Sequence, residues 1–61
     1  MERLVDVFTK HGKQHVWTYS IVLGGFDFHP SFTDFEREAI RCAIDDGKGT
    51  QSELTAKVRH L

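Results

Sequence analysis

The side chains best suited to chemistry in this sequence are its histidines, its cysteine and a few acidic pairs. His11 and His15 stand four residues apart, a spacing that makes a shared metal-binding face on a helix, but here it spans a predicted loop and the start of a strand. Asp27 and His29 alternate onto one side of a short predicted strand and form a small polar pair. Since no carboxylate or thiol completes a recognised zinc spacing, we expect neither a metal nor another cofactor.

Nucleophilic catalysis needs a nucleophile with an oriented base beside it. Cys42 lies on a predicted helix beside the apolar stripe of that helix, where a cysteine behaves as a small hydrophobic residue. The acidic pairs are Glu36 with Glu38 and Asp45 with Asp46, two positions and one position apart, so their carboxylates do not face one another on a helix. We therefore expect this chain not to be an enzyme.

The length of 61 residues allows one domain, residues 1–61, with a thin core. The chain is 39% hydrophobic and 28% charged, which is typical of folded domains. Its single cysteine allows no intrachain disulfide, and no stretch approaches the roughly 20 apolar residues that cross a membrane. The sequence therefore predicts a folded cytoplasmic protein without a membrane segment.

Three strands are predicted in the first half of the chain, at about residues 3–9, 15–23 and 25–29. The alternation is cleanest in the second strand, whose large side chains share the face that we assign to the core, namely Trp17, Tyr19, Ile21 and Leu23. Gly24 and Gly25 suit a tight turn, so the third strand is expected to continue an antiparallel meander.

A long helix is predicted at about residues 33–46. Thr33 and Glu36 have the spacing of a capping box, and Ser31 with Asp34 is the alternative start. Gly47 suits the left-handed residue that follows a helix. Between these ends runs an apolar stripe at helical spacing, formed by Phe35, Ala39, Ile40, Ala43 and Ile44.

A second helix is predicted at about residues 51–60. Thr50 and Glu53 repeat the capping-box spacing, and Leu54, Val58 and Leu61 recur at helical intervals. The fold class is therefore expected to be α+β, with a three-stranded antiparallel meander followed by one long and one short helix in the order βββαα.

Binding is the functional class that the composition favours. Seven aromatic residues are many for so thin a core, so some are expected to form an interface with a protein partner or with a second copy in a homodimer. We expect a small regulatory or inhibitory protein that binds a larger protein, of a size that suits an inhibitor encoded by a phage or mobile element. The expected contact residues are an acidic helix flank, Asp34, Glu36 and Glu38, and part of the outer sheet face, Val16, Thr18 and Val22.

The alternative is a nucleic-acid-binding regulator that uses the exposed face of the sheet. Its candidate residues are basic and hydroxyl-bearing side chains of the first two strands and their loop, namely Arg3, Lys10, Lys13, Thr18 and Ser20. The formal net charge of -1 disfavours this alternative, because nucleic-acid modules commonly carry a basic excess.

Overall fold

The structure is a computed structural model that describes residues 1–59. It contains, in chain order, the strands β1 (Glu2–Thr9) and β2 (His15–Val22), the helix α1 (Phe32–Asp45) and the strand β3 (Leu54–Val58). All three strands are antiparallel to their neighbours and the sheet order is β2-β1-β3, so the first strand is central. The predicted α+β class is confirmed, whereas the order βββαα is wrong and becomes ββαβ for the described residues.

The core lies between α1 and one face of the sheet. Val5 and Val7 of the central strand are fully buried, and the other buried side chains come from the helix and both neighbouring strands: Ile21, Phe35, Ala39, Ala43, Leu54 and Val58. The buried side chains of α1 include two alanines, Ala39 and Ala43. Of the predicted stripe, Phe35, Ala39 and Ala43 are buried and Ile40 is partly buried, whereas Ile44 is exposed.

The helix begins at the alternative cap rather than at Thr33. The hydroxyl of Ser31 accepts from the Asp34 amide (3.2 Å), and the Asp34 carboxylate accepts from the Ser31 amide (2.9 Å). At the other end, Gly47 has a φ of +73°. Its amide donates to Ile44 O and the Lys48 amide donates to Ala43 O, both at 2.9 Å, which is the Schellman arrangement.

The predicted third strand at residues 25–29 is wrong. No residue of this segment pairs with the sheet, and it forms an irregular loop between β2 and α1. Its alternation covers only Phe26 to Phe28, and Pro30 directly after it cannot donate to a ladder, so the segment is too short to compete for a sheet edge.

The predicted helix at residues 51–60 is also wrong within the described chain, because residues 54–58 form β3. Thr50 and Glu53 do make one contact of a capping box, because the Thr50 amide donates to Glu53 Oε1 (3.1 Å). The turn that they form is followed by the strand and not by a helix. Leu54 and Val58 are four apart, a spacing that suits both a helix and one face of a strand, and the free edge of β1 selects the strand. Leu61, assigned to the same helix stripe, lies outside the described residues.

Candidate protein-binding surface

A hydrogen-bonded polar cluster occupies the middle of the sheet face that α1 does not cover. Asp6 accepts from Thr18 Oγ1 (2.5 Å) and from Arg59 Nη2 (2.6 Å), while His15 Nε2 lies 2.8 Å from Thr18 Oγ1. The hydrogen bond from Arg59, followed by that from Thr18, holds the pKa of Asp6 below its ordinary value. These groups satisfy one another, so the cluster stabilises the sheet and leaves few polar groups for a ligand.

The five residues of the nucleic-acid alternative do not converge on one surface. Arg3 lies on the helix side of the sheet, with its guanidinium carbon 5.0 Å from the Phe32 ring centroid. On the opposite face, Ser20 donates to Glu2, and the hydroxyl of Thr18 is held by Asp6. The remaining two, Lys10 and Lys13, lie in the β1–β2 loop, which is far along the hairpin from Ser20.

The three acidic residues expected to form a helix flank are each engaged by groups of this chain. Asp34 caps the helix, and the amide of Ser31 holds its pKa below the ordinary value. Glu38 accepts from Arg41 Nε (2.8 Å), which likewise lowers its pKa. Glu36 points toward β3, where Oε2 accepts from the Val58 amide (3.3 Å). Each of the three carboxylates therefore has a hydrogen-bond partner within the chain.

The three sheet residues proposed for protein binding do not all lie on the outer face of the sheet. A bulge in the β1–β2 pairing leaves Val16 without an opposite residue, and its side chain packs against the core. Thr18 and Val22 lie on the outer face, where Thr18 belongs to the polar cluster. Val22 is 70% exposed and offers an apolar surface at the end of β2.

The loop between β2 and α1 carries the most exposed aromatic side chain of the described chain, that of Phe26. Phe26 is 99% exposed and Phe28 51% exposed, and Phe32 at the start of α1 is also exposed. Sequence reasoning missed this surface because it assigned both loop phenylalanines to a strand. The signal was present in the flanks, since a Gly-Gly pair and a proline bracket a segment of only four residues.

Both ends of this loop are fixed to the fold. At its start, the Leu23 amide donates to Met1 O (2.9 Å) and the Met1 ammonium donates to Leu23 O (2.7 Å). Gly24 follows with a φ of +113°, which turns the chain away from the sheet. At its end, Ser31 caps α1. The loop therefore presents its phenylalanines from two anchored ends.

The structure also bears on the side chains considered for metal binding and nucleophilic catalysis. Among residues 1–59, no three His, Cys, Asp or Glu side chains lie close enough together to hold a metal ion. Burial raises the pKa of the Cys42 thiol, which keeps it in the less nucleophilic protonated form. The helix of the described chain is too short and too polar to cross a membrane.

Comparisons with protein-family models, with curated proteins and with solved structures found no match to this chain.

Proposed function

We propose that this chain is a small regulatory or inhibitory protein that acts by binding a larger protein, with Phe26 and Phe28 as its apolar anchors. The observation that carries the proposal is the near-complete exposure of Phe26. Burying a phenylalanine is worth about 1.5–3 kcal/mol, and the fold itself gains almost none of that at this position. A partner with an apolar groove would recover it.

The surroundings of the loop support a binding role. Met1 and Phe32 are also exposed, and both lie at the end of the sheet from which the loop leaves β2. Because the loop is fixed at both ends, less conformational entropy is lost when it docks. Large aromatic anchors surrounded by polar residues are the usual centre of a protein interface.

The acidic surface of α1 contributes steering in this proposal rather than direct contacts. From Asp34 to Asp46 the chain carries five acidic residues against two arginines, so this segment is negative. Long-range attraction toward a basic target raises the association rate even where the carboxylates already have partners in the chain. The single cysteine, which leaves no intrachain disulfide, supports a reducing compartment such as the cytoplasm for this role.

The test immobilises the parent chain, a double phenylalanine variant and a control variant, and compares the proteins that bind to each. The double variant Phe26→Ser/Phe28→Ser should lose at least tenfold in affinity for the target, because the transfer energy of two anchors is removed. Ile44→Ser is the matched control, since it removes an exposed apolar side chain from the other end of α1. Retention of the same target by all three forms, measured by titration with the purified target, would contradict the proposal.

The nucleic-acid alternative is distinguished by a gel shift with random duplex at low salt. Its support is weaker, because its candidate residues are dispersed over two faces of the sheet and a loop. If the chain binds duplex with micromolar affinity and the phenylalanine variant binds equally well, the sheet becomes the preferred surface in place of the loop.

A further inference from the structure

The strand β2 forms one edge of the sheet, and half of its backbone groups point away from β1. Met1 and Leu23 exchange two hydrogen bonds, so they form a hydrogen-bonded pair of the antiparallel ladder. Because such pairs alternate along the ladder, Tyr19 and Ile21 also bond to β1, whereas the amides and carbonyls of the intervening residues point outward. These outward groups belong to Thr18, Ser20 and Val22, and none has a hydrogen-bond partner within residues 1–59.

The opposite edge of the sheet is protected, and this contrast singles out β2. The strand β3 has five residues, carries Lys57, and has the outward amide of Val58 covered by the carboxylate of Glu36. Short length, an edge lysine and a covering side chain are the devices by which proteins prevent edge pairing. The eight residues of β2, His15–Val22, include no Asp, Glu, Lys, Arg or Pro. This edge therefore has the composition of a strand that pairs with another strand.

The same edge carries uncovered apolar side chains on both faces. Trp17 lies opposite the buried Val7 and faces the helix side of the sheet, yet it is 53% exposed. The helix α1 packs more over β3 and β1 than over β2, and Lys48, which follows α1, places its Nζ 4.9 Å from the Trp17 ring centroid. On the outer face, Val22 is exposed. A strand added beside β2 would cover both.

We propose that the occupant of this edge is a second copy of the chain, paired antiparallel through β2 about Tyr19 to make a continuous six-stranded sheet. This register places Ser20 opposite Thr18 of the second copy in a hydrogen-bonded pair, and Trp17 opposite Ile21. The pairs are hydroxyl with hydroxyl and aromatic with β-branched, both favourable across antiparallel strands. No like charges meet, because β2 carries no acidic or basic residue apart from His15.

The size and charge of the chain favour self-association over a foreign strand. A domain of 61 residues has a thin core and commonly gains stability by forming an oligomer. A two-fold axis brings the same edge of both copies together, so every outward group of the paired region finds a partner. The formal net charge of -1 gives only weak repulsion between copies. The Phe26–Phe28 loop follows β2 in the chain and is not part of the paired strand.

The first experiment measures mass and amide exchange on the unmodified chain. Sedimentation equilibrium should give twice the mass of one chain, with dissociation on dilution. Hydrogen exchange followed by NMR should show protection of the Thr18, Ser20 and Val22 amides that falls on dilution, whereas a monomer protects only the alternate residues. One-chain mass at all concentrations up to the millimolar range, with rapid exchange at these three amides, would overturn the proposal.

The second experiment blocks each edge in turn. Ser20→Pro removes an outward amide of β2, and Ala56→Pro is the matched control because the Ala56 amide points outward from β3. We expect the first variant to be monomeric and the second to remain dimeric. Ser20→Lys, which adds an edge charge without a backbone change, should also be monomeric and serves if the proline variant does not fold. A dimer that survives both Ser20 variants, or one lost only in Ala56→Pro, would overturn the β2 assignment.

Discussion

At the scale of single residues, Tyr19 joins the middle of β2 to the end of α1. Its hydroxyl donates to Asp46 Oδ2 over 2.7 Å. Burial, together with this hydrogen bond and the negative charge of Asp46, raises the pKa of Tyr19 to about 12. The raised pKa is a link between protonation and folding, because the unfolded chain gives up the phenolic proton near pH 10.

The stability of the chain should therefore fall between pH 10 and pH 12 through Tyr19. In that range the folded state holds the proton and the unfolded state has lost it, so the contribution is complete below pH 10 and is lost as the pH rises through the folded pKa. Urea unfolding at pH 8 and pH 11 checks this. In Tyr19→Phe the difference between the two pH values should be smaller than in the parent chain, and an unchanged difference would contradict the assignment.

The residue scale is also where sequence reasoning about the site was weakest. Asp34, Glu36 and Glu38 lie on one helix, but each has a different partner. These partners are the amide of Ser31, the amide of Val58 and the side chain of Arg41, respectively. Of these, the Glu36–Val58 contact joins residues 22 apart in the chain. Local spacing cannot indicate such a contact, because it exists only after β3 has joined the sheet.

At the scale of elements, the end of α1 depends on the backbone of Gly47. Its φ of +73° lies in the left-handed region, where a side chain clashes with the local backbone. A Cβ placed there would meet no other atom within 4 Å, so the backbone strain is the whole cost of a substitution.

Gly47→Ala should lower the free energy of unfolding by about 1 kcal/mol for that reason. Gly25→Ala is the control, because Gly25 has no positive φ and its Cβ position is also open. The control should leave stability unchanged or raise it slightly, since alanine restricts the unfolded chain. Chemical denaturation of both variants measures the difference, and equal stabilities would show that the Schellman end of α1 contributes little.

At the scale of the whole molecule, buried and exposed aromatic side chains have different roles. Phe35 is fully buried at the centre of the core, whereas Phe26 is almost fully exposed. A domain of this size has a total stability of only several kcal/mol, so the buried ring carries much of it.

Phe35→Ala should cost about 3–5 kcal/mol and leave much of the protein unfolded at room temperature. Phe26→Ala should change the stability by less than about 0.5 kcal/mol, because its side chain has almost no contact to lose. Circular dichroism during thermal unfolding compares the two variants. A large loss of stability in Phe26→Ala would mean that this side chain supports the fold rather than a partner.

The sequence by itself determined the β1–β2 hairpin and the buried stripe of α1, because alternation, capping and helical spacing act over a few neighbouring residues. Only the tertiary structure decided the secondary structure of residues 25–29 and 54–58, because each segment is short and its sequence suits more than one conformation. The free edge of β1 made residues 54–58 a strand, in which Val58 pairs with Val5, 53 positions earlier in the chain. That choice left Phe26 and Phe28 in an exposed loop and made β2 the unprotected edge.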